Sequence, residues 1–116
     1  MRRWYAAHVV MYFKFHDGAQ DKFPIYENVL LFQAKDDDEA RDMAETAGKS
    51  GEDPTCKFDG RAATLTFAGV RKVISCEFPS SLENGEEATY SQFTANDEAG
   101  LKRFVEGKPV AVEYLE

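Results

Sequence analysis

Between Trp4 and Phe15 the chain alternates as a strand with two unequal faces. Tyr5, Ala7, Val9, Met11, Phe13 and Phe15 form one uninterrupted apolar set, and Trp4, Ala6, His8, Val10, Tyr12 and Lys14 form a mixed one. His16 to Lys22 is turn-like, with Asp17-Gly18 as its strongest cue. Phe23 to Lys35 reads as a second strand, and Pro24 suits its beginning. Two such runs joined by a short loop predict a long antiparallel hairpin. The period then changes. Asp36 and Glu39 have capping-box spacing, and Ala40, Met43, Ala44 and Ala47 recur at helical intervals as a stripe of mostly small residues. Such a stripe lets a helix lie close on a sheet. Gly48 reads as the helix stop.

Lys49 to Pro54 reads as loop, Cys56 to Phe58 as a short strand, and Asp59-Gly60 as a turn. Arg61 to Phe67 is the next strand. Gly69 marks a bulge or bend, and Val70 to Phe78 continues extended. Pro79 to Gly85 is loop, with Asn84-Gly85 a turn signal, and Glu87 to Phe93 is strand. A second helix spans Asn96 to Glu106, capped by Thr94 or Asn96, with Leu101, Phe104 and Val105 inward and Gly107 at its end. Val110 to Leu115 is a final strand. The order predicts an α+β fold: an antiparallel or mixed β-sheet of about five to six strands with two α-helices packed on it.

The length of 116 residues fits one domain spanning residues 1–116, large enough to build a core without metal or disulfide staples. The charge is −7, from 14 Lys+Arg and 21 Asp+Glu, which argues against nucleic-acid binding and against a basic membrane anchor. It suits a basic protein partner. The apolar run after Arg2 and Arg3 is too short to span a bilayer and lacks a cleavage site, so no membrane association is expected. A cytoplasmic protein with Cys56 and Cys76 as reduced, buried thiols is expected.

No phosphate-binding glycine loop, paired-cysteine zinc motif or nucleophile elbow is present, so no catalytic residue, metal or cofactor is assigned. The acidic run Asp36 to Glu39 reads as a helix-dipole cap and not as a metal site. Arg71-Lys72 and Lys102-Arg103 read as solvated surface charge that could form a basic spot. The hairpin's mixed face holds more information. Pairing the more apolar face of each strand sets His8 opposite Leu31, Val10 opposite Val29 and Tyr12 opposite Glu27, with Trp4 near Lys35 and Ala6 near Gln33. The candidate binding residues are therefore Trp4, His8, Val10, Tyr12, Glu27, Val29 and Leu31. Either the rest of the fold covers them, with Glu27 bonded to Tyr12 or to backbone, or they form a contact surface or shallow pocket for a partner or for a second copy in a homodimer.

Trp4-Tyr5-Ala6-Ala7, Tyr26-Glu27-Asn28-Val29 with Leu31, Ala34 followed by Asp38-Glu39-Ala40, and Phe67 to Val73 together resemble a family of small bacterial domains known as domain of unknown function 4288. The resemblance implies a bacterial single-domain protein and brings no activity, substrate or site residue with it. The residues themselves point to a non-enzymatic binding or interaction module, of the inhibitor or immunity type, with a protein partner. The rival is a small enzyme or ligand-binding domain in which Glu27 is a base and Tyr12 or His8 a donor.

Overall fold

The computed structural model describes residues 2–76 and 84–115, and the side chains of all of these except 86–91 and 115. The elements are β1 (Arg3–Phe15), β2 (Phe23–Ala34), α1 (Asp37–Ser50), β3 (Asp53–Phe58), β4 (Arg61–Cys76), β5 (Glu86–Ala95), α2 (Glu98–Val105) and β6 (Val112–Leu115). The six strands form one antiparallel sheet in the order β3-β4-β1-β2-β5-β6. The fold is α+β, as the element order predicts.

β1 lies inside the sheet because both of its faces are apolar. Consecutive Val9 and Val10 require cover on both sides, and each is almost wholly buried. The two helices supply that cover from opposite faces. α1 packs on Tyr5, Ala7, Val9 and Met11, with Ala40 and Ala44 against the sheet. α2 sets Leu101 and Phe104 over Val10, Phe23 and Ile25 on the other face.

α1 starts as its sequence dictates. The Asp36 side chain accepts a hydrogen bond from the Glu39 N–H at 2.8 Å, while Glu39 Oε1 reaches back to the Lys35 N–H at 3.2 Å. The helix does not stop at Gly48. It continues to Ser50, with Gly51 as the C-cap. Gly48 is buried on the sheet, where a Cβ would sit 2.3 Å from Phe67 Cδ1 and 3.0 Å from Val9 Cγ1. The glycine permits close approach and so extends the small-residue stripe by one turn.

Other boundaries also move. β3 begins at Asp53 and not at Cys56. Its connection to β4 is a two-residue turn with Asp59 and Gly60 at φ 51° and 76°, the left-handed pair that the strand twist favours. β4 passes through Gly69 without a break. The N-cap of α2 is Asp97, whose side chain accepts from the Gly100 N–H, because Thr94 is still paired within β5. β6 begins at Val112, and Val110 packs into the core cluster beneath α2 instead. Asn84 and Gly85 form a turn, and the rest of the expected Pro79–Gly85 loop lies outside the described residues, as does the end of the expected strand at Phe78.

The hairpin register differs from the expected one by two residues. His8 pairs with Val29, Val10 with Glu27, Tyr12 with Ile25, Trp4 with Gln33 and Ala6 with Leu31. An even slip keeps every side chain on its expected face. The ladder's last pair is Tyr12–Ile25, and a side chain takes over at the hairpin's end. The Gln20 side chain accepts from the Phe15 N–H at 2.9 Å and donates to the carbonyls of Phe13 and Lys22 at 3.2 and 2.7 Å. It stands in for a strand partner there. The two cysteines are free and half-buried, rather than fully buried. Cys56 lies opposite Ala63, and Cys76 lies thirteen residues further along β4, about 40 Å away at strand spacing. No intramolecular disulfide can span that distance.

Ala44→Leu tests the seating of α1. Ala44 is fully buried against the sheet, so the larger side chain should overpack the contact and cost about 1–3 kcal/mol. Urea melts measure this, and an unchanged midpoint would mean that α1 does not rest on its small-residue face.

Candidate functional site

The site is set by β4. Lys72 pairs with His8 while Val70 pairs with Val9, which leaves Arg71 as an extra residue. Gly69 pairs with Val10 while Phe67 pairs with Met11, which leaves Ala68 as another. Two bulges therefore flank Gly69, whose φ is +155°. By simple alternation Arg71 would share the face of Val73 and point toward α1. The first bulge turns it to the opposite face, beneath α2. A side chain at Gly69 would also obstruct that helix, because its Cβ would lie 2.6 Å from Val105 Cγ1.

On that face Arg71 meets Glu27 of β2. Arg71 Nε donates to Glu27 Oε2 at 2.6 Å, and Nη2 donates to Oε1 at 3.0 Å. His8 Nδ1 lies 3.2 Å from Oε1. An ionised carboxylate only accepts, so the hydrogen of that bond sits on His8 Nδ1. The Arg71 guanidinium also lies 5.2 Å from the centroid of the Phe104 ring. The three side chains are 5% (Glu27), 16% (His8) and 25% (Arg71) exposed. Burial alone would push the Glu27 pKa up, but the hydrogen bonds from Arg71 and then His8, with their charges, outweigh it and hold the carboxyl below its ordinary range.

The structure thus joins His8 and Glu27 and adds a partner, Arg71, that sequence reasoning treated as solvated charge. Its neighbours in that reading have separate roles. Lys72 is exposed, Lys102 lies 3.6 Å from Glu98, and Arg103 donates to the Pro109 carbonyl. Two signals could have found Arg71: a glycine inside a strand run, and a carboxylate in an apolar hairpin that needs a cation. Trp4, Val10 and Leu31 are buried at 7%, 0% and 4% exposure, so this part of the expected patch is interior to the chain. Val29 is half-buried. Among the described residues no three His, Cys, Asp or Glu side chains are grouped to hold a metal ion.

Tyr12 stands in a different setting. Its ring lies 5.8 Å from that of Phe23, and both line a hollow of about 420 Å³ beside α2, with Leu101, Val105, Glu98 and Glu106 among its walls. Burial raises the Tyr12 phenol pKa, and the charges of Glu98 and Glu52 raise it further. The phenol stays protonated at neutral pH.

The Glu27 cluster predicts a direction for acid sensitivity. Its folded-state pKa lies below the unfolded one, so its stabilisation is complete above the ordinary carboxylate range and is lost as pH falls through the folded value. Glu27→Gln should lower stability at neutral pH and flatten the loss of stability between about pH 5 and pH 2. Denaturant melts across that range measure it, and an unchanged slope would show that Glu27 is not held ionised by its partners.

No curated protein and no solved structure matches the chain. A family model described as Domain of unknown function (DUF4288) matches residues 4–90, from β1 into β5, and leaves α2 and β6 beyond the match. That span includes His8, Glu27 and Arg71, and it covers most of the chain, which therefore belongs to the DUF4288 family.

Proposed function

We propose that the chain is a small non-enzymatic module that binds a protein partner of basic character. The observation that carries this reading is the state of Glu27. Both of its oxygens are engaged, by the Arg71 fork and by His8, and its pKa is lowered. A general base works best with a pKa raised toward the working pH and with room for a substrate proton. Glu27 has the opposite properties, which count against the rival enzyme built on Tyr12, Glu27 and His8. They fit a structural role that braces the hairpin against β4 and α2. The net charge of −7 supports the choice of partner, since charge complementarity speeds encounter. The free cysteines accord with a reducing, cytoplasmic setting.

The test is a panel of peptides of equal length and graded net charge, passed over the immobilised chain. The cationic peptides should associate fastest, and their on-rates should fall steeply between about 50 mM and 500 mM salt as screening sets in. Equal binding of anionic, neutral and cationic peptides would contradict the proposal.

A further inference from the structure

The hollow beside α2 continues past the Tyr12–Phe23 ring pair. A second hollow of about 480 Å³ shares Tyr12, Phe23 and Glu98 with the first and is bounded by Lys14, Asp21 and Asp97. The two form one groove with an aromatic saddle at its centre. The saddle carries a carboxylate. Glu98 is 69% exposed, and its Lys102 partner stands 3.6 Å away at 71% exposure, a loose, solvent-screened i,i+4 pair. A cation from outside could take that place at little cost. The formal charges along the groove also favour a cation: Asp21, Asp97, Glu98 and Glu106 against Lys14 and Lys102.

We infer that this groove is the docking site for the basic partner, and that it holds a lysine or arginine side chain of a protein segment over the half-buried Tyr12 ring and against Glu98. The inference rests on the binding-module reading above and adds the place and the contact. Ring faces attract a cation through their quadrupole, and Glu98 supplies the full opposite charge. The two hollows meet at Tyr12 and Glu98, so one basic side chain of an extended segment can anchor there. α2 forms one wall of the groove and follows the span matched by the family model.

The probe is acetyl-penta-arginine-amide, titrated into the ¹⁵N-labelled chain and followed by amide shifts, with penta-glutamate as the control. The largest shifts should fall on Tyr12, Phe23, Glu98 and Lys102. Tyr12→Leu and Glu98→Gln should each weaken binding about three- to five-fold. Glu98 is exposed, so its variant keeps the fold and the test stands even if Tyr12→Leu loses stability. Shifts centred on the acidic start of α1, at Asp36 to Glu39, or spread evenly over all acidic residues, would overturn the groove while leaving the module reading in place. Absence of binding by any cationic peptide would overturn both.

Discussion

A carboxylate placed near the middle of a six-stranded sheet must find a cation, and in this chain that need shapes the surrounding structure. Glu27 is 95% covered and points to the face that α2 occupies. Left alone there it would cost several kcal/mol, a large part of the 5–15 kcal/mol that holds a domain together. Arg71 relieves it, but only because β4 bulges beside Gly69 and turns that side chain across the sheet. The same bulge makes the surface on which α2 rests. Gly69 leaves room for Val105, and Phe104 lies beneath the guanidinium. The ion pair, the bulges and the position of α2 are one arrangement, and changing any of them disturbs the other two.

The two faces of the sheet are covered in different ways. α1 approaches closely, through Ala40, Ala44 and Gly48, and fills its side of the core with residues of the sheet itself, such as Met11 and Phe32. α2 stands on its own large side chains, Leu101 and Phe104, and leaves a groove along its edge. A helix held off by large side chains at one end of a sheet exposes part of the sheet beside it. Here that part holds the half-buried Tyr12, with the buried Phe23 beside it, so the candidate binding surface is a direct result of how α2 is packed.

Much of the fold was legible in the residues. Both strands of the first hairpin, the Asp36 cap, the small-residue stripe and the Asp59-Gly60 turn all follow from local pattern, and local pattern decides them. The hairpin register was not legible, because pairings two residues apart put the same side chains inward and alternation cannot choose between them. α1 runs past Gly48 because that glycine serves a tertiary contact, and a glycine stop and a glycine approach look alike in sequence. The candidate site was half legible. His8 and Glu27 were singled out from the mixed face. Arg71 was not, because each bulge shifts the alternation of β4 by one residue and a face assignment carried along the strand inverts there. The Tyr12 groove depends on α2, which no strand pattern could place.

Glu27 and Arg71 act as a pair that braces the fold. A double-mutant cycle with Glu27→Leu and Arg71→Met measures this directly by equilibrium unfolding. Each single substitution strands a partly buried charge and should cost about 3 kcal/mol, whereas the double substitution removes both charges and should recover most of that loss, a coupling well above 1 kcal/mol. Additive losses, with the double variant as unstable as the sum of the singles, would contradict the account.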